Sequence, residues 1–105
     1  MEPIILNPLV YVLALENDKI YVGITYSFNI RIAQHMSGTG SQWTKLHKPV
    51  KVIEIIHTGI TSKTENETTL RYKALYGDEN VRGGSYCKIN KNAQHTAPVP
   101  FSQLE

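Results

Sequence analysis

Cysteine is almost absent from this 105-residue sequence, which contains only Cys87. An intramolecular disulfide and a cysteine-rich zinc site are therefore excluded, and a reducing intracellular compartment, the cytoplasm or the nucleus, is expected. Long apolar runs are also absent: none approaches the roughly 20 residues of a transmembrane helix, so no membrane partner is expected. The N-terminal stretch MEPIILNPLV lacks a basic segment and does not resemble a signal peptide.

A strong charge of either sign is missing as well. Eleven basic and nine acidic residues give a net charge of +2, and the isoelectric point is about 8.7. This balance is compatible with nucleic-acid binding but does not indicate it. The length predicts one domain, and the hydrophobic content of 41% is sufficient for a core.

The regular structure begins with two runs rich in Val, Leu, Ile and Tyr. Residues 9–15 and 19–25 predict a β-hairpin whose strands are apolar on both faces, which indicates a sheet covered on both sides. Tyr11 and Tyr21 lie ten residues apart in these strands. A loop centred near Glu16 would place the phenols on one face, whereas a two-residue turn would place them on opposite faces. The sequence leaves both registers open.

The rest of the chain predicts an α+β fold in the order β-β-α-β-α. The expected elements are a helix over 28–37, a loop over 38–49, a strand over 50–57, a helix over 62–76 and a short strand near 86–89. We expect residues 1–8 to form an irregular lead-in, 9–90 the folded domain and 91–105 a polar, proline-containing tail.

Both helices have a candidate inner face. Ile30, Ala33 and Met36 form an apolar stripe on the first helix, which Ser27 or Asn29 can cap and Gly38 can end. In the second helix, Ser62 and Glu65 match a capping box, and Gly77 can end the helix. Its candidate inner residues are Leu70, Lys73 and Ala74.

Five residues of four types fit phosphodiester hydrolysis, although each alone has an ordinary structural explanation: Tyr11, Tyr21, Arg31, His35 and one glutamate of the second helix. A carboxylate can hold a divalent cation. A guanidinium can contact phosphate oxygens in a forked geometry. A phenol can position or deprotonate water when an imidazole relays the proton. Arg31 and His35, spaced i and i+4, share one helix face.

The segments LVY at 9–11 and YVG at 21–23, followed by NIRIAQH, resemble the core of the GIY-YIG nuclease family. Arg31 follows the second tyrosine by ten residues, and His35 comes one helical turn later. The resemblance covers about residues 9–90, with Leu9 and Val10 in place of the family's glycine and isoleucine. The segments GTGSQWTKLHKP and YGDENVRGGSYC resemble small stand-alone members from large DNA viruses and some microbes, so a virus-encoded chain is one expectation.

The resemblance implies a small antiparallel three-stranded sheet flanked by helices, and it implies roles for four residues. Tyr11 would activate the attacking water, and Tyr21 would orient the water or the phosphate. Arg31 would bind the scissile phosphate. His35 would accept or relay the proton.

A single Mg²⁺ or Mn²⁺ ion is the implied cofactor, held by one carboxylate of the second helix and otherwise by water and phosphate. Glu65 is the expected ligand, because its distance of twelve residues from Gly77 matches the family pattern. Glu67 is the rival, about 200° further round the helix. Either Asn80 or Asn90 is a candidate for the asparagine that many members carry after this helix.

DNA is the expected partner, and the loop over 38–49 with the start of the next strand is the expected contact region. The candidate residues are Lys45, Lys48, Lys51 and Arg82 for phosphates, and Trp43 for stacking on a base. Packing of Trp43 beneath the loop is the alternative. No recognition helix or zinc module is apparent, so a homodimer or a targeting partner is expected to supply specificity.

The sequence therefore predicts a metal-dependent DNA endonuclease. The alternative is a nucleic-acid-binding module that has the same fold but does not cleave. A structural or partner-binding domain, with the tyrosines as core residues, is a third interpretation.

Overall fold

A computed structural model of the protein describes residues 8–87, and it has the predicted α+β architecture. The strands are β1 (Leu9–Leu15), β2 (Lys19–Thr25), β3 (Pro49–Ile56) and β4 (Val81–Gly83), and the helices are α1 (Phe28–Ser37), α2 (Gln42–Leu46) and α3 (Thr64–Tyr76). The strand order in the sheet is β3-β1-β2-β4. β1 pairs antiparallel with both neighbours, and β4 is a fourth strand, parallel to β2, that the sequence did not predict. The predicted lead-in up to residue 7 and the predicted tail lie outside the described residues.

The hairpin turn settles the register that the sequence left open. A short 3-10 turn over Glu16–Asp18 connects the strands, and Asn17 and Asp18 adopt positive φ angles of 64° and 60°. Asn and Asp tolerate this left-handed conformation better than most residues. The turn is centred on Asn17, so Tyr11 pairs with Gly23 and Leu13 pairs with Tyr21. Because side chains alternate along a strand, both phenols lie on one face of the sheet.

The sheet is covered on both sides, as predicted, by two separate hydrophobic clusters. We call the face that carries the two tyrosines the front face and the opposite one the back face. The front cluster contains Tyr11, Leu13, Leu15, Tyr21 and Trp43, with Leu9, Phe28 and Ile32 packed against it. The back cluster contains Val10, Val12, Ile20, Val22, Tyr72 and Val81. Helices α1 and α2 therefore cover the front face, and α3 covers the back face.

The predicted inner faces of both long helices are wrong except at Lys73. In α1, Ile30 and Met36 are exposed, and the series that faces the sheet is Phe28, Ile32 and His35. The hydrogen bonds of His35 offset the cost of burying it, so a polar residue occupies the last position of an otherwise apolar stripe. In α3, Leu70 and Ala74 are exposed, but the Lys73 side chain is only 9% exposed, as predicted. The buried residues of α3 are Thr68, Thr69 and Tyr72. Thr69 fits where α3 packs against Gly83 of β4.

The helix ends and the loop before β3 also differ from expectation. Helix α1 has the predicted bounds and ends at Gly38 in the left-handed conformation, but neither Ser27 nor Asn29 caps its start, because no side-chain cap hydrogen bond is formed there. Helix α3 begins at Thr64 without the predicted Ser62 capping box. Part of the predicted loop is helix α2, because Ser41 and Thr44 form a capping box there. The last predicted strand is reduced to one bridge between Gly83 and Tyr86, and its end lies outside the described residues.

Candidate active site

Tyr11 and His35 are joined by a short hydrogen bond in the front face. The Tyr11 hydroxyl oxygen lies 2.6 Å from His35 Nε2, and both side chains are at most 1% exposed. Gly23, directly opposite Tyr11 on β2, leaves space for this phenol: a Cβ atom there would collide with the Tyr11 hydroxyl group. The glycine of YVG is therefore required by close packing.

Tyr21 completes an aromatic group around the imidazole. Its ring centroid lies 4.9 Å from that of His35 and 6.2 Å from that of Tyr11. Burial raises the pKa of both phenols, while the nearby Arg31 guanidinium acts to lower both. The hydroxyl groups are therefore protonated at neutral pH, and the Arg31 charge favours loss of their protons.

Arg31 lies at the partly exposed side of this group. Its Nη1 donates to Gln34 Oε1 at 2.9 Å. Burial acts to lower the pKa of Arg31, but its interactions with Tyr11 and Tyr21 outweigh burial and raise that pKa. The guanidinium is thus charged, half-buried and adjacent to both phenols.

Glu65 reaches the same site from the first turn of α3. β4 pairs with β2 only as far as Val22. The backbone of Ile24, beyond that pairing, is therefore accessible for a hydrogen bond with the Glu65 carboxylate. Burial raises the pKa of Glu65, while hydrogen bonding with the backbone of Gly84 and Ile24 and the charge of Arg31 oppose the rise. Glu65 also interacts electrostatically with both phenols. Its rival Glu67 is exposed to solvent.

The structure therefore brings together all five residues of the predicted constellation. One protein carboxylate faces the guanidinium and the phenols. Within residues 8–87 no group of three or more His, Cys, Asp or Glu side chains could hold a metal ion. A cation here would take few ligands from the protein, a donor set that suits Mg²⁺ or Mn²⁺ held mainly by water and phosphate oxygens.

Two residues that sequence reasoning missed contact His35 from its other side. Thr44 Oγ1 lies 2.8 Å from His35 Nδ1, and a Cβ atom at Gly40 would collide with that same nitrogen. The one signal in the sequence is the Ser41-x-x-Thr44 spacing of a helix start, which indicates a cap but not a contact with His35.

Two predicted DNA-contact residues are instead part of the core. Trp43 is 2% exposed and donates its Nε1–H group to the carbonyl oxygen of Ile20 at 2.8 Å. Arg82 is 5% exposed, and its Nη1 donates to the carbonyl oxygens of Asp78 and Val81. Stacking of Trp43 on a base and contact of Arg82 with DNA are therefore wrong for this arrangement, because neither side chain reaches the surface.

The three predicted lysines lie at the surface, whereas Asn80 has a structural role. Lys45, Lys48 and Lys51 are exposed. Asn80 Oδ1 accepts from Lys19 Nζ at 2.7 Å, and its Nδ2 donates to the carbonyl oxygen of Tyr76 at 2.7 Å. These bonds tie Asn80 to the end of α3. Asn90 lies outside the described residues.

A phenol, an imidazole, a guanidinium and a carboxylate on a small α+β sheet define a nuclease-type site. The family model described as the GIY-YIG catalytic domain matches residues 7–78 of the chain. The chain belongs to the GIY-YIG family.

Several relatives share part of the sequence, and three of them carry the name UPF0213 protein. One from Cupriavidus necator is 42% identical over 43 residues, covering 41% of this chain and 47% of the relative. One from Natronomonas pharaonis is 37% identical over 49 residues, covering 47% and 54%. One from Neisseria meningitidis serogroup C is 32% identical over 69 residues, covering 66% and 75%. The chain thus spans about half the length of the first two. No solved structure matches.

These relatives correct one expectation and leave others untested. The resemblance to members from large DNA viruses is not supported, because the relatives are mostly bacterial. Within the described residues, no helix is both long and apolar enough to cross a bilayer. Cys87 is a free, exposed thiol, and the reducing compartment predicted from it stays a prediction.

Proposed function

We propose that this chain is a metal-dependent DNA endonuclease that hydrolyses phosphodiester bonds. The observation that carries the proposal is the 2.6 Å hydrogen bond between the Tyr11 hydroxyl and His35 Nε2, on the face that also holds Arg31 and Glu65. The Tyr11–His35 pair can take a proton from a water molecule, and the Arg31 guanidinium beside the pair can bind a phosphate. The DNA-cleaving activity belongs to this proposal, since the relatives' names describe no reaction.

In the proposed reaction, a water oxygen attacks the phosphorus atom opposite the leaving oxygen. Tyr11 takes a proton from that water while its own hydroxyl proton passes to His35 Nε2, so the pair gains one proton in total. A new P–O bond forms as the ester P–O bond breaks, and the leaving oxygen takes a proton from solvent. Tyr21, beside Tyr11, orients the water or the phosphate.

Arg31 and Glu65 have complementary tasks in this proposal. Arg31 donates to the non-bridging phosphate oxygens, where negative charge grows in the transition state. Glu65 would hold one Mg²⁺ or Mn²⁺ ion, which supplies charge neutralisation at the phosphate when it is bound. Glu65 fits this task because its carboxylate is partly desolvated and faces the phenols.

DNA contacts outside the reacting phosphate are assigned to Lys45, Lys48 and Lys51. These exposed side chains lie on α2 or between α2 and the middle of β3. Their contacts would be with phosphates, so they add affinity that falls with salt but little sequence specificity. A second copy of the chain or a targeting partner would then select the substrate.

The test is cleavage of supercoiled, branched and flapped DNA by the purified chain with Mg²⁺ or Mn²⁺. We expect cleavage that a chelator stops, loss of cleavage in Glu65→Gln, and activity close to wild type in the matched control Glu67→Gln. A wild type that binds these DNAs without cutting any of them would overturn the proposal in favour of a non-catalytic module. An active Glu65→Gln beside an inactive Glu67→Gln would reverse the assignment of the metal ligand.

A further inference from the structure

His35 is held at both ring nitrogens in a buried position. Nε2 lies 2.6 Å from the Tyr11 hydroxyl oxygen, and Nδ1 lies 2.8 Å from Thr44 Oγ1. Thr44, like His35, is 1% exposed. A neutral imidazole carries one N–H group, so one nitrogen donates and the other accepts. Which nitrogen carries the hydrogen decides whether His35 can receive a proton from Tyr11.

The surroundings of Thr44 assign its hydroxyl hydrogen to Ser41. Thr44 Oγ1 lies 3.2 Å from the carbonyl oxygen of Ser41, which can only accept, and 3.0 Å from Ser41 Oγ, which can donate or accept and itself accepts from the Thr44 N–H group. The Ser41 N–H group points at the same hydroxyl oxygen at 3.3 Å as part of the α2 capping box. With its hydrogen given to the carbonyl, Thr44 Oγ1 keeps a lone pair for His35. The helix cap therefore makes Thr44 an acceptor towards Nδ1–H.

The surroundings of Tyr11 point to the same tautomer. The Arg31 guanidinium, which interacts with the Tyr11 oxygen, has donors only. The Tyr11 oxygen is therefore an acceptor towards Arg31, and its hydrogen is left for His35 Nε2. The distance of 2.6 Å is at the short end for a hydrogen bond, as expected when a hydroxyl donates to a strong acceptor.

We propose that Thr44 is a positioning residue that holds His35 as the Nδ1–H tautomer, with the Nε2 lone pair directed at Tyr11. Gly40 contributes space, because any side chain there would displace Nδ1 from Thr44. This inference rests on the proposed function for its catalytic meaning, but the tautomer itself does not. In the opposite tautomer, an N–H group would face Tyr11, and His35 could not take the proton.

Thr44 also supports the state that follows proton transfer. When the Tyr11 proton moves to Nε2, the ring becomes an imidazolium with N–H groups at both nitrogens. Nδ1–H still donates to Thr44 Oγ1, and Nε2–H donates back to the Tyr11 oxygen. Thr44 therefore needs no rearrangement during the step.

The experiment combines nitrogen-15 NMR of the histidine rings with DNA cleavage. The His35 signals are assigned by their loss in His35→Gln. In the wild type we expect a protonated Nδ1 and an unprotonated Nε2. Thr44→Val, which keeps the shape but removes the hydroxyl group, should shift the Nδ1 signal and slow cleavage by about 10- to 100-fold, less than the roughly 10²- to 10⁴-fold contribution of general acid–base catalysis. Thr44→Ser should restore both.

The control is Ser37→Ala, which removes a nearby hydroxyl group that bonds to the carbonyl oxygen of Gln34. It should change neither readout. A wild-type spectrum with the hydrogen on Nε2, or Thr44→Val with unchanged spectrum and cleavage, would overturn the inference. If Thr44→Val does not fold, the wild-type spectrum still decides the tautomer. A wild type with the expected spectrum but no cleavage would contradict the proposed function alone.

Discussion

Each face of the sheet carries a group of three polar side chains. Two of the three residue types are the same on both faces, and the third differs. On the back face, Tyr72 donates to Glu54 Oε1 at 2.6 Å, and Arg71 Nη2 lies 2.9 Å from the same oxygen. On the front face, the Tyr11 oxygen is equally close to His35 Nε2. A tyrosine and an arginine are common to both groups. The third member is a carboxylate on the back face and a neutral imidazole on the front face.

This difference separates a structural phenol from one suited to proton transfer. Burial raises the pKa of Tyr72 to about 12 and that of Tyr11 further still, so the pKa of the phenol does not separate the two. The neighbouring groups do: the Glu54 carboxylate holds the Tyr72 proton, whereas the Arg31 guanidinium opposes the rise in the pKa of Tyr11. Arg71 is neutralised by the same carboxylate. On the front face, burial and the charge of Arg31 lower the pKa of His35 to about 4, so the ring is a neutral acceptor at neutral pH.

The largest expected effect distinguishes the two arginines. Arg31→Ala should reduce cleavage by about 10²- to 10³-fold, because it removes a donor to the charge that develops on the phosphate. Arg71→Ala is the matched control on the back face and should cleave close to the wild-type rate. Rate measurements at saturating metal compare the two. Equal losses in both variants would mean that Arg31 has no special relation to the reaction.

Close packing of the front face gives the next prediction. Gly23→Ala introduces a Cβ atom where the Tyr11 hydroxyl lies, so it should cost about 1–3 kcal/mol of unfolding free energy and also lower cleavage. Val22→Ala, the adjacent buried residue of the back cluster, should destabilise by a similar amount but leave cleavage intact. Denaturant unfolding and cleavage are measured at a temperature where both variants are folded. A Gly23→Ala protein as active as Val22→Ala would contradict the packing argument.

The pH dependence of stability should separate the faces. Burial lowers the pKa of His35 and His47 to about 4 from the ordinary 6.5. Their folded-state pKa lies below the unfolded value, so the unfolded chain binds protons first as the pH falls. Stability is therefore complete above pH 6.5 and should decrease between pH 6.5 and 4, by on the order of 1–3 kcal/mol per histidine.

Denaturant unfolding at pH 7 and pH 5 measures this decrease in stability. In His47→Gln the loss of stability between the two pH values should be smaller than in the wild type. Glu65 acts in the opposite direction, since burial raises the pKa of its carboxyl. The same comparison is therefore repeated in Glu65→Gln, where the decrease should be steeper. Equal stability at the two pH values in Glu65→Gln would contradict the burial of neutral histidines.

The smallest effect is expected from the back face. Glu54 has a pKa lowered by the Tyr72 hydroxyl and by Arg71, so its contribution is present above the ordinary value of 4.5 and is lost as the pH falls below it. Tyr72→Phe should cost about 1 kcal/mol at pH 7, because the ion pair is partly exposed and screened. At pH 3 the cost should be smaller. A cost that is unchanged at pH 3 would show that the carboxylate is not its origin.

Much of the front face could be predicted from residue order alone. The spacing of Arg31 and His35 fixes a shared helix face, and alternation along the strands limits the tyrosines to two arrangements. The choice between these depended on two left-handed residues in the turn, Asn17 and Asp18, which alternation does not specify. The contact of Thr44 with His35 was not predicted, because nothing in the sequence of a short capped helix indicates which distant residue its threonine contacts.

The residues of β4 show the other limit of sequence reasoning. A three-residue parallel strand has too few side chains for a periodic pattern, and Gly83 suggested a loop. Arg82 was expected at the surface, but backbone carbonyl groups satisfy its guanidinium inside the fold. These carbonyl groups are close to Arg82 in the sequence, but whether they face the guanidinium depends on the local backbone conformation, so the burial of Arg82 becomes visible only in three dimensions.

The central claim is that the Tyr11–His35 pair performs proton transfer and that the Tyr72–Glu54 pair does not. The most direct measurement is the single-turnover cleavage rate of Tyr11→Phe beside Tyr72→Phe, with Mg²⁺ or Mn²⁺ and the DNA that the wild type cuts best. We expect a loss of about 10²- to 10⁴-fold for Tyr11→Phe and a rate close to wild type for Tyr72→Phe. A Tyr11→Phe protein that is folded and cuts as fast as Tyr72→Phe would contradict the central claim.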